Sequence, residues 1–244
     1  MSSRNISPSV ITIAVDFPPQ PGFIRRLSEI SERICEKLKL KEWAIQAQRS
    51  SLFREDNMVV YTIDHRSMNV RIRDEGCLAE GAQGCFDAIK FTVEAYELSK
   101  VDNLSVVHES LVDIGMSHQE MSDLGRTNYL NNPDSVLDGT NDWQVSFISN
   151  IDTTSTRVEV SPMTPSDALK QYQQLISIGG VNDAIWEIGL ANIAATITQD
   201  RLFVRYIKIN KEASKHDIPR LISKSLEEAK SSTNTAIDRL MALR

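Results

Sequence analysis

The sequence predicts an α+β fold, an antiparallel sheet with about four helices packed on one face. Three observations carry this. Short β-branched runs follow one another across gaps brief enough for hairpins. Four stretches place their apolar residues at helical spacing. The order of the two kinds, β-α-β-β-β-α-β and then β-β-α-β-β-α, suits helices layered on a sheet. One extended sheet and a pair of split-βαβ-like lobes both accommodate that order.

Val10 to Val15, between Pro8 and Pro18-Pro19, reads as the first strand. Phe23, Leu27, Ile30, Ile34 and Leu38 then form a stripe over four turns of helix. Trp43 to Phe53, Met58 to Ile63 and Met68 to Arg73 read as three strands, with breaks at Glu55-Asp56-Asn57 and His65-Arg66-Ser67. A second helix is expected from about Gln83 to Ser99 on Phe86, Ile89, Val93 and Tyr96, and a strand from Asn103 to Ile114. Residues 115–142 are polar and hold few apolar anchors, so they read as a connecting loop. The division expected is an N-terminal lobe over 1–115, the loop over 116–142 and a C-terminal lobe over 143–244, the two lobes forming either one domain or two.

The second half begins with a strand pair, Trp143 to Ile151 and Thr156 to Val160, joined by a turn at Asp152 to Ser155. Thr164-Pro165-Ser166-Asp167 is a helix start: a capping hydroxyl, proline at the first helical position and an acid at the third. Ala184 to Thr198 and Arg201 to Ile209 read as a hairpin. The second of these runs is apolar on both faces, which marks a central strand. A last helix spans about His216 to Leu243, and Ser231 to Thr235 is a place for it to loosen.

Composition bounds the function. With 244 residues, 41% hydrophobic and 25% charged, the chain has material for a core and none of the bias of a disordered or fibrous protein. Three cysteines (Cys35, Cys77 and Cys85) are too few for a disulfide scaffold. No apolar run approaches membrane-spanning length, and the start lacks the form of a secretory signal, so a cytoplasmic protein with reduced thiols is expected. Charge is uneven within a net −6: residues 101–200 carry 3 basic and 14 acidic side chains, and residues 201–244 carry 10 and 5. The middle is thus −11 and the tail +5, a pattern that pairs parts of one fold or joins two chains.

Chemical motifs are mostly missing. No phosphate-binding loop, dinucleotide fingerprint, nucleophile elbow or HExxH appears, and Gly81 to Gly84 is at best a helix entry able to hold an anion. Cys77 and Cys85 lack zinc-knuckle spacing, so no metal and no cofactor is expected. Asp64-His65 and His108-Glu109 place imidazoles beside carboxylates, and His65, His108 and Asp113 are the catalytic candidates. Neighbours on a strand point to opposite faces, which argues against a ready-made dyad. Arg71 and Arg73, led by Arg66, and Arg201 and Arg205 lie on strand faces and are the candidate nucleic-acid contacts. The acidic balance disfavours polyanions. The expectation is therefore a protein with no recognisable catalytic motif that acts through protein–protein contacts, as an oligomer or complex subunit. A nucleic-acid-associated protein and a His-based hydrolase are the alternatives.

Overall fold

A computed structural model describes residues 6–40, 42–46, 49–53, 59–73, 78–129, 143–176 and 195–242. Among these residues nine strands form one sheet: β1 (Ile6–Asp16), β2 (Glu42–Gln46), β3 (Arg49–Phe53), β4 (Val59–Asp64), β5 (Ser67–Ile72), β6 (Asn103–Val112), β7 (Val145–Ile151), β8 (Thr154–Met163) and β9 (Arg201–Lys211). The described helices are α1 (Phe23–Leu38), α2 (Leu78–Ala95), α3 (His118–Tyr129), α4 (Pro165–Ile176) and α5 (Ile218–Met241). The strand order is β2-β3-β4-β5-β1-β6-β9-β8-β7, and every neighbouring pair is antiparallel. The expected α+β class is borne out. The seam between the two halves of the chain is the β6–β9 ladder in the middle of the sheet.

Alternation along the strands gives the sheet two different faces. Ile11, Ile13 and Val15 of β1, Met68, Val70 and Ile72 of β5, and Leu104 and Val106 of β6 point to the first face. There they meet Phe23, Leu27, Ile30 and Ile34 of α1, Cys85, Ala88, Ile89 and Val93 of α2, and Ile218 and Ile222 of α5. Each such side chain contributes roughly 2 kcal/mol over its exposed state. The far end of the same face holds Val112, Leu202 and Val204 against Met121 of α3, Trp143, and Ile237 and Leu240 of α5. Four of the described helices thus share one face, and α4 lies on the other, where Ala168 and Tyr172 pack on Val10, Leu111 and Phe203.

Polar contacts fix how the helices sit. Gly22 takes φ +74, a left-handed turn into α1 that glycine enters without strain. Arg26 of α1 donates from Nη1 to the carbonyl of Ala95, at 2.8 Å, and so satisfies the C-terminal end of α2. The Ser31 hydroxyl donates to Ser50 on β3 at 2.8 Å inside the core. On β9, Lys208 Nζ lies 2.5 Å from Glu228 Oε2 of α5, and the Tyr206 hydroxyl donates to the same oxygen at 3.0 Å. Burial raises the Glu228 pKa, but these two donors, with the charge of Lys208, outweigh it and hold the carboxyl below its ordinary value.

Several elements differ from the sequence expectation. Trp43 to Phe53 is two strands, β2 and β3, paired as a hairpin. Residues 118–129 are helical where a polar loop was expected, and 130–142 lie outside the described residues. The Ser117 hydroxyl accepts from the Glu120 amide at 3.2 Å, and Glu120 Oε2 accepts from the Ser117 amide at 2.8 Å, a reciprocal capping box. The expected hairpin of 184–198 with β9 is replaced by other pairings: β6 and β8 occupy both edges of β9. Residues 184–194 lie outside the described residues. Helix α5 runs unbroken through Ser231 to Thr235, where Thr233 is buried and the Thr235 hydroxyl turns back onto the Ser231 carbonyl at 2.8 Å. The helix start at Thr164 stands as expected: its hydroxyl accepts from the Asp167 amide at 3.3 Å and donates to that carboxylate at 2.6 Å.

Candidate functional site

On the second face, strand register assembles a row of charge. Glu109 on β6 and Glu159 on β8 both stand opposite Arg205 on β9. Arg205 Nε lies 2.9 Å from Glu109 Oε1, and its Nη1 lies 3.6 Å from Glu159 Oε2. Glu159 also pairs with the guanidinium of Arg157. Both carboxylates are buried, whereas Arg205 reaches solvent. Burial pushes the Glu109 carboxyl above its usual range, against the pull of Arg205 and Arg71.

Further along, Arg201 Nη1 pairs with Asp113 Oδ2 at 2.8 Å and its Nη2 donates to the Thr196 carbonyl at 2.9 Å. Acids of the −11 middle segment (Glu109, Asp113 and Glu159) therefore meet bases of the +5 tail within one chain.

These contacts settle where the candidate arginines sit. Arg71, Arg201 and Arg205 share the second face, with Arg73 just beyond β5. Across the strands, three spacings or roughly 14 Å separate β5 from β9, and Arg71 is level with Ile207, so Arg201 lies about 20 Å further along β9. Arg73 is buried, which lowers its pKa, with Tyr172 opposing and Arg71 adding to the fall; an arginine nonetheless stays charged. Arg66 is exposed on the turn between β4 and β5, and its backbone amide donates to Asp64 Oδ1 at 2.8 Å. Lys208, next in sequence to this set, points to the first face and is held by Glu228.

The catalytic candidates are not brought together. His65 lies on the turn between β4 and β5, with its ring edge-on to Phe23 at 6.2 Å. His108 is buried on the first face, opposite Ile11 and Tyr206, with Nε2 at 3.1 Å from the Ser110 hydroxyl. Asp113 follows the far end of β6 and is engaged with Arg201. The His65 turn sits level with the start of β6, so the length of that strand, about 30 Å, separates it from Asp113. Gly81 and Gly84 lie inside α2 rather than at its entry. A side chain at Gly84 would press on the Tyr61 hydroxyl, at 2.6 Å from the added Cβ, so close packing accounts for that glycine. Among the described residues, no three His, Cys, Asp or Glu side chains group as a metal site.

The feature that sequence reasoning missed is the outer edge of β7. This strand ends the sheet, paired with β8 on one side; among the described residues no strand pairs with the other. Val145-Ser146-Phe147-Ile148-Ser149-Asn150-Ile151 carries no charge and no proline. Phe147 is 43% exposed, Ile148 62% and Ile151 67%. Edge strands are ordinarily blunted by charge, proline, a bulge or shortness. Here the register with β8 is unbroken over the whole strand. Behind β7 on the first face, a crevice of about 190 Å³ lies between Phe147, Val158 and Val160 and the α5 residues Ser232, Thr235 and Ala236. At the opposite end of the sheet, β2 opens on a charged residue, Glu42.

No protein-family model matches the chain, and no curated protein matches it.

Proposed function

We propose that the protein acts through protein–protein contacts, as an oligomer or complex subunit, and that its docking surface is the outer edge of β7. The observation that carries this reading is a regular, uncharged edge strand with exposed Ile148 and Ile151. An extended partner strand would take up the outward amides and carbonyls at about 1 kcal/mol net per hydrogen bond, and alternate side chains would add apolar burial. The ion pairs of the second face count against the nucleic-acid alternative, because Arg201 and Arg205 already serve Asp113, Glu109 and Glu159.

We place the protein in the cytoplasm. Cys35 and Cys85 are free thiols, which suits a reducing compartment. Among the described residues no helix is long and apolar enough to cross a membrane.

Hydrogen exchange of the full chain with added extended peptide tests the docking reading. With the chain diluted to where it sediments as a monomer, a peptide copying residues 143–151 should slow exchange of the outward β7 amides and leave those of β2 unchanged. Unaltered β7 exchange at saturating peptide would end the reading.

A further inference from the structure

We infer that the strand received at this edge is β7 of a second copy of the chain, an inference that rests on the docking reading above. The pairing is antiparallel about a two-fold axis perpendicular to the sheet at Ile148 and gives a continuous sheet with nine strands from each copy. In that register like meets like: Val145 faces the copy's Ile151, Ser146 faces Asn150, and Ile148 faces its own counterpart. Phe147 stands opposite Ser149 and diagonal to the second Phe147, within reach across antiparallel strands.

Moving the axis by one residue, to Phe147, sets Ser146 against Ile148 and Val145 against Ser149, and the apolar matching is lost. Charge agrees with the choice. The acid nearest the strand, Asp152 in the β7–β8 turn, falls opposite Gln144, so no like charges oppose each other. The copies also keep their first faces on one side, because partners across a ladder share a face. The pairing strand itself carries no charge, so this association is apolar and should persist in salt.

Sedimentation of the full chain over a roughly hundredfold concentration range tests this. Wild type should form a dimer that persists at high salt. Ile148→Lys sets two ammonium groups face to face on the axis and should weaken dimerisation by about a hundredfold or more. Ile148 is largely exposed, so the variant should keep the wild-type circular dichroism. Ile151→Lys, away from the axis, should weaken the dimer less. Under mild oxidation, Ile148→Cys should give a covalent dimer in excess of the wild-type background, whereas Ser146→Cys, which faces Asn150, should not.

A wild-type chain that stays monomeric while the peptide protects β7 overturns the self-partner and leaves the docking reading standing. A dimer indifferent to Ile148→Lys, or one that dissolves in salt, places the interface elsewhere and overturns the inference. If peptide and second copy both leave β7 untouched, both readings fall.

Discussion

Replacing Arg205 by methionine keeps most of the side-chain length and removes the charge between Glu109 and Glu159. Both carboxylates are 6% exposed as side chains, so the substitution strands buried negative charge. Breaking a fully buried pair costs about 3–5 kcal/mol. Arg205 itself is 39% exposed, so solvent already screens part of the attraction, and Arg157 still serves Glu159. About 2 kcal/mol is therefore expected, a fall of roughly 4–8 °C in Tm for a chain of this size. Urea unfolding followed by circular dichroism measures it.

The sign of the pH dependence is the sharper readout. The Glu109 pKa is raised in the native state, so its protonated form contributes stability below the unfolded value, and that contribution is lost as pH rises through the folded value. Arg205 is one of the groups holding that value down, so the variant raises it further. The deficit of Arg205→Met should be largest near about pH 7.5 and shrink toward about pH 5. Adding Glu109→Gln should recover part of the loss at neutral pH, because no stranded charge then remains at that position. A deficit under about 0.5 kcal/mol, or one equal at both pH values, would refute the clasp.

Two further substitutions test the packing beside β7. A Cβ added at Gly125 would fall inside the indole of Trp143, whose Nε1 donates to the Met121 carbonyl at 3.1 Å, so Gly125→Ala should expel that ring. A loss of about 2–4 kcal/mol and a red shift in tryptophan emission are expected; unchanged emission would remove the argument. Ser117→Ala deletes the α3 cap and should cost about 1 kcal/mol, with faster exchange of the first-turn amides as its mark. Equal protection in the two proteins would show that the cap carries none of the helix.

Legibility in the sequence followed the range of the forces involved. Helix α1 and the start of α4 were readable because the Phe23 to Leu38 stripe and the Thr164 to Asp167 cap are local patterns. Helix α3 was missed although Ser117 and Glu120 have capping-box spacing, because Ser122, Gly125 and Asn128 are weak helix formers. What holds it is tertiary: Met121 and Gly125 pack against Trp143, beyond the next segment. The ionic row was out of reach for the same reason. Glu109, Glu159 and Arg205 are separated by about fifty residues each and meet only through strand register. Uneven charge along the chain hinted at pairing, and could not say whether the partners lay in one chain or two.

Strands β7 and β9 present the same sequence signature. Leu202-Phe203-Val204 of β9 and Phe147-Ile148 of β7 put apolar side chains on both faces, and such a pattern asks for cover on each. Strand β9 finds neighbours on both sides, β6 and β8, with Phe203 under α4 and Val204 under α3 and α5. Among the described residues strand β7 finds one neighbour, and its Ile148 and Ile151 are exposed. Exposing those residues forgoes roughly 2 kcal/mol each that burial would supply. Among the described residues the two strands differ in what surrounds them: β9 has a strand on each edge and helices on both faces, whereas β7 has a strand on one edge only. A strand that pairs with the open edge of β7 must have matching alternation, no charge to strand and an edge of its own left open, and β7 of a second copy meets all three conditions.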